Sequence, residues 1–182
     1  HWWHGHHHGH TSDRIRMTFT ASEVQKVVAF LCNGNDTYDG SVYWGRMRNG
    51  TDINVQQTVF GGQGNDLLVG GRWNDALFGG SGRDKLFGWK GDDVLVGGDG
   101  RDWMWGGRGD DLLIGSKVDN DFTSPEIVGD IDDAMTEWAN GNLADTLNHL
   151  GDHEDDDDRD YLFGGFGRDT LIGGRRDWKW QW

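Results

Sequence analysis

The sequence predicts an all-β chain with helical elaborations, in which short parallel strands wind into a solenoid. Three observations carry that prediction. An aspartate recurs every nine residues, at Asp66, Asp75, Asp84, Asp93, Asp102 and Asp111. A largely apolar triplet follows each one (LLV, ALF, KLF, VLV, WMW, LLI), always with Leu or Met in the middle. A glycine-rich turn precedes each one, and glycine supplies 31 of the 182 residues. Nine residues are too few for a helix pair or a propeller blade; they fit one short strand and one tight turn. Strand alternation then sends Leu68, Leu77, Leu86, Leu95, Met104 and Leu113 to one side, as a thin, continuous interior stack.

The turns carry the chemistry. Glycine is needed there because the backbone visits positive φ and packs carbonyls closely. Two nonapeptides complete one coil, so turns eighteen residues apart lie about 4.8 Å above one another. Asp66, Asp84 and Asp102 therefore form one row, and Asp75, Asp93 and Asp111 a second. Carboxylates stacked so closely repel unless a cation lies between them. A hard divalent ion wanting six or more oxygens at ~2.3–2.6 Å fits such a site, and Ca²⁺ suits it better than Mg²⁺, which keeps its waters. Backbone carbonyls complete the expected ligand set. They belong to Gly61, Gly62 and Gly64; Gly79, Gly80 and Gly82; Gly97, Gly98 and Gly100; Gly106, Gly107 and Gly109; and Gly164, Gly165 and Gly167. Trp73 and Trp89 replace turn glycines, so the second row is expected to be distorted and to hold its ions more weakly.

The phrase G-G-x-G-x-D-x-(large apolar)-x, repeated six times from Gly61, resembles the RTX (repeats-in-toxin) calcium-binding nonapeptide family. The resemblance implies a right-handed parallel β-roll filled with several Ca²⁺ ions, in proteins that are generally extracellular. On that basis the chain divides into five parts. Residues 1–19 are a His/Trp-rich segment, 20–60 a capping helix and irregular first coil, and 61–114 the β-roll. Residues 115–160 are an acidic helical insertion within one turn, and 161–182 continue the roll to a Trp-rich cap.

Upstream, "CNGNDTYDG" and "RNGTDINV" scan as decayed copies, with Asp36 and Asp52 as weaker metal candidates. Residues 20–31 are expected to form a short amphipathic helix with Val24, Val27, Val28 and Leu31 on one face, covering the open end. Asn35 and Asn49 begin N-x-Thr sequons and read as turn residues. After Ile114, Ser124-Pro125-Glu126 is a helix start. Ile127, Ile131, Met135 and Trp138 then fall on one face, and Leu143, Leu147 and Leu150 make a second short face. The repeat resumes at "DRDYLFGG", which puts Asp160 over Asp102 and Asp169 over Asp111, so the insertion is one swollen turn. The last turn is a residue short, which puts Asp177 out of place and makes it another weaker candidate.

Composition excludes several functions. A net charge of -14 repels nucleic acid and anionic membranes, and no apolar run is long enough for a transmembrane segment. One cysteine rules out an internal disulfide framework. The chain opens on histidine (a removed leader, a fragment and a tag are equally compatible with that), and the His-rich start could bind Zn²⁺, Cu²⁺ or Ni²⁺ or be an adventitious tail. His149 and His153 read as a solvated helix end, and no H-E-x-x-H, G-x-S-x-G, kinase or P-loop pattern occurs, so no enzyme is expected. The ninth position of every repeat is large and apolar: Val69, Phe78, Phe87, Val96, Trp105, Ile114, Phe163 and Ile172. Such a stripe either forms an interface or lies beneath the helical segments. The leading expectation is a secreted calcium-binding structural protein that forms a homo-oligomer or polymer, a filament or surface layer. The alternatives are a non-catalytic domain of a larger toxin, hydrolase or adhesin, and a carbohydrate-binding module stacking a cell-surface glycan on Trp103 and Trp105.

Overall fold

The structure, a computed structural model, describes residues 25–40, 55–118, 127–151, 153–154 and 158–182. The His-rich start, Asp52, the Asn49 sequon and the Ser124-Pro125-Glu126 helix start lie outside the described residues. In chain order the first strands are β1 (Lys26–Phe30), β2 (Thr37–Asp39), β3 (Gln56–Gly64), β4 (Leu67–Val69) and β5 (Ala76–Gly82). Next come β6 (Lys85–Lys90), β7 (Val94–Gly100), β8 (Trp103–Arg108), β9 (Leu112–Ile114) and the short β10 (Lys117–Val118). Helices α1 (Ile127–Ala139) and α2 (Leu143–Leu150) precede β11 (His153–Glu154), β12 (Tyr161–Phe166), β13 (Thr170–Ile172) and β14 (Trp178–Trp180).

The fold is mostly β with two helices. Two six-stranded parallel sheets dominate it, ordered β1-β3-β5-β7-β9-β13 and β14-β12-β8-β6-β4-β2. Successive repeats alternate between the sheets, so strand neighbours come from eighteen residues away. Leu77 stands beside Leu95, and Leu86 beside Met104. The register survives the long insertion: Met104 pairs with Leu162 and Leu113 with Leu171. Parallel sheets in this alternation are consistent with a β-roll.

The middle residue of each triplet builds the interior. Val59, Leu68, Leu77, Leu86, Leu95, Met104, Leu113 and Leu162 come from both sheets and meet in one buried cluster. Burying each such side chain stabilises by roughly 1.5–3 kcal/mol.

The neighbouring positions face away from this interior, and the two sheets treat them differently. On the first sheet Phe60, Phe78, Val96 and Ile114 are buried under Ile127, Ile131, Met135 and Trp138 of α1 and Leu150 of α2. Half of the expected outward stripe is therefore a second core, because the insertion folds back over it. Trp138 donates its indole N–H to the Asp110 carbonyl at 2.8 Å, and Lys26 pairs with Asp132, tying α1 to the sheet. Asn142 caps α2, accepting from the Asp145 amide. The two ends of the insertion meet in an antiparallel bridge, Lys117 against Glu154 and Val118 against His153.

One element differs in kind from the expectation. The residues Lys26–Phe30 form strand β1, parallel to β3, where the pattern predicts a helix. The β-branched pair Val27-Val28 suits a strand, and period-two alternation sends Val28 and Phe30 to one core and Ala29 and Leu31 to the other. Docking on the edge of β3 also supplies the backbone partners that a helix there would have left unmade.

Candidate metal centre: two ladders of aspartates

The register that stacks the strands also stacks the turns. In the first ladder the Asp36 amide donates to Asp66 Oδ1 at 2.7 Å, Asp66 to Asp84 at 2.7 Å and Asp84 to Asp102 at 2.8 Å. Asp102 then donates to Asp160 at 2.8 Å and Asp160 to Asp177 at 3.0 Å. In the second, Gln57 donates to Asp75 at 2.8 Å, Asp75 to Asp93 at 2.7 Å, Asp93 to Asp111 at 2.9 Å and Asp111 to Asp169 at 3.0 Å. Asp160 and Asp169 thus stand over Asp102 and Asp111, forty residues beyond the usual interval. Asp177, expected out of place, joins the first ladder despite its shorter turn. Asn35 acts as a turn residue, its side-chain oxygen accepting the Asn65 amide at 2.8 Å.

Those bonds use one oxygen of each carboxylate. The other, Oδ2, is buried without a hydrogen-bond partner in Asp36, Asp66, Asp84, Asp93, Asp111 and Asp169. Asp84 is 1% exposed and Asp93 and Asp111 are 0% exposed. A buried, unpartnered carboxylate oxygen is costly unless something positive meets it. Burial pushes the carboxyls of Asp66 and Asp84 up to about 6 and that of Asp111 to about 7. Asp93 is driven well upward by burial, then by the charges of Asp111 and Asp75.

The surroundings of Oδ2 fit a hard cation. A methyl group built on Gly61 would stand 2.5 Å from Asp66 Oδ2 and 2.5 Å from the Gly79 carbonyl oxygen. The same cradle recurs at Gly79, 2.5 Å from Asp84 Oδ2 and from the Gly97 carbonyl. Carboxylate and turn carbonyl therefore converge from adjacent turns, an all-oxygen donor set suited to Ca²⁺. Among the described residues no group of three or more His, Cys, Asp or Glu side chains gathers at one point.

The second and fourth positions of the regular turns favour glycine. Gly80 and Gly82 take φ of 109° and 141°, and a Cβ on Gly82 would lie 1.6 Å from the Gly64 carbonyl oxygen. Trp89 breaks the pattern in sequence only. It adopts φ 78° and keeps register with Gly107, so its turn retains the shape of its neighbours. The turn containing Trp73 does not.

Stacked, buried aspartates face turn carbonyls along both parallel sheets, the arrangement expected of a calcium-binding repeat. The family model for the RTX calcium-binding nonapeptide repeat, in four copies, matches residues 60–95, 90–121 and 154–175. Over these residues the chain carries RTX calcium-binding nonapeptide repeats, and RTX repeats bind Ca²⁺. Neither the curated proteins nor the solved structures give a significant match.

The raised carboxyls set a pH dependence. In the calcium-free chain the folded pKa values of Asp66, Asp84 and Asp111 lie above the ordinary 3.8. The stability they contribute is fully present below that value and lost as pH rises through about 6 to 7. Calcium competes with the same protons. Its affinity is therefore expected to rise between about pH 5 and about pH 8, with protons released on binding. Calorimetric titration in buffers of different ionisation enthalpy reads both; an affinity flat across that range would mean other ligands hold the ion.

Proposed function

We propose that the chain is a calcium-folded structural module, a right-handed parallel β-roll that works outside the cell and associates with copies of itself. The calcium reading rests on the orphaned, buried Oδ2 atoms of the ladders. Residues 61–114 and 161–182 are then one roll, residues 115–160 one enlarged turn, and residues 20–60 its first coil. The ions would be held by Asp66, Asp84, Asp93, Asp102, Asp111, Asp160 and Asp169 and by the turn-glycine carbonyls, with Asp36 as an upstream ligand. Bound calcium supplies positive charge between turns, and these residues position their oxygens for it. No catalytic step is assigned, in keeping with a repeat family that is generally non-catalytic. RTX-repeat proteins are typically secreted, and among the described residues no helix is long and apolar enough to cross a membrane.

Self-association rests on the contrast between the two outer faces. The insertion covers the first sheet, whereas the second sheet displays Trp103, Trp178 and Trp180 at 48%, 60% and 54% exposure. Trp103 stacks on Phe163 at 5.5 Å between ring centres, and Trp105 meets Phe87 and Trp89 edge-on, so the face is a continuous aromatic surface. A patch of that kind marks an interaction site. In calcium, the sedimentation coefficient is expected to rise with protein concentration, and the double substitution Trp103→Ser, Trp180→Ser should keep the chain monomeric. A wild-type chain that stays monomeric at high concentration would rule the proposal out.

The second reading is a glycan-stacking module, favoured by the near-parallel rings of Trp103 and Phe163, tilted by 30°. Binding on a glycan array that disappears with Trp103→Ser in a monomeric protein would favour it.

A further inference from the structure

In two turns the second carboxylate oxygen accepts a backbone amide of its own turn. Asp75 Oδ2 accepts the Gly71 amide at 2.6 Å, and Asp177 Oδ2 accepts the Gly174 amide at 2.7 Å. The corresponding atoms of Asp66, Asp84, Asp93 and Asp111 have no partner. Local sequence accounts for the difference. The turns GGQGND and GGSGRD, which lead to Asp66 and Asp84, place glycines with φ of 106° and 138°, and of 109° and 141°, at their second and fourth positions. The turns before Asp75 and Asp177 read GGRWND and GGRRD. Each lacks the fourth-position glycine, and Gly71 and Gly174 stay out of the left-handed region. Their N–H groups then point at the aspartate of the same turn.

Both of these turns stand at ladder ends. Asp75 is the first aspartate of the second ladder, and Asp177 is the last of the first. Beside Asp177, Lys179 Nζ donates to the Gly173 carbonyl at 2.6 Å. That carbonyl belongs to the first glycine of its turn, the position whose oxygens line the cradles at Gly61 and Gly79. A charged side chain of the protein thus takes an oxygen that an interior turn turns towards its cradle.

We infer that the Asp75 and Asp177 turns close the two ladders without calcium, the amides of Gly71 and Gly174 and the ammonium of Lys179 taking the oxygens that face a cation elsewhere. The inference rests on the calcium reading above and deepens it, because it separates turns that take an ion from turns that end the series. Native mass spectrometry in saturating calcium tests it by counting ions on the whole chain. Asp75→Asn and Asp177→Asn are expected to carry as many ions as wild type, and Asp84→Ala fewer. Trp73→Gly, which restores GGRGND, should carry one more. An ion lost in either Asn variant, or an unchanged count in a folded Trp73→Gly chain, would overturn the inference. If Trp73→Gly fails to fold by circular dichroism, the two Asn variants decide. A wild-type chain that carries no ions would instead overturn the calcium reading itself, an outcome distinguishable from the other two.

Discussion

Chelating calcium with EGTA is expected to abolish the cooperative melting of the two parallel sheets and to shift the far-ultraviolet circular dichroism towards an unordered chain. The expectation follows from the burial and charge of the ladders. Asp66, Asp84, Asp93 and Asp111 each leave a buried oxygen unmet, and the repulsion between neighbours such as Asp93 and Asp111 adds to the cost. An ion bound only by the folded chain stabilises it by about 2.7 kcal/mol at a hundredfold excess over its Kd. Several such sites together match the whole stability of an ordinary domain, about 5–15 kcal/mol. A chelated chain with the same spectrum and the same melting temperature would show that the interior and the helices suffice.

Leu95→Ala is expected to lower stability by about 2–5 kcal/mol in saturating calcium, read from chemical denaturation. Leu95 is 0% exposed and lies in register between Leu77 and Leu113. The interior is one side chain deep, so its layers have no spare atoms with which to refill the cavity. Lys85→Ala is the matched control. That side chain is exposed, one residue from buried Leu86 on a strand of the other sheet, and its loss should cost less than about 0.5 kcal/mol. Similar losses at the two positions would mean that the leucine stack is not the core of the folded state.

The eighteen-residue interval made much of this arrangement legible. It placed the strands in register, sorted the aspartates into two rows and located Asp160 and Asp169 beyond the insertion, because a coil of fixed length leaves no other solution. Three features escaped it for physical reasons. At Lys26–Phe30 the apolar spacing fitted helix and strand alike, and pairing with β3 decided the outcome. The outward positions Phe78, Val96 and Ile114 could not be known as buried until the insertion was seen packed on them. Trp73 and Trp89 are equivalent as lost glycines, yet only Trp89 tolerates positive φ in place. The signal that separates them was present in the sequence: Gly91 keeps the fourth-position glycine in the Trp89 turn, whereas Trp73 itself occupies that position.

Asp177 carries a related lesson. Its turn is one residue short, which by counting alone removes it from the row, but the missing residue is absorbed in the turn and the Asp160 amide still reaches it at 3.0 Å. Hydrogen bonding between stacked turns therefore tolerates a change in turn length.

Anomalous scattering from calcium in crystals of the whole chain tests the central claim most directly. Peaks are expected in two rows, beside the Oδ2 atoms of Asp66 and Asp84 on one edge and of Asp93 and Asp111 on the other. A map without peaks at those oxygens, from a folded chain grown in calcium, would contradict it.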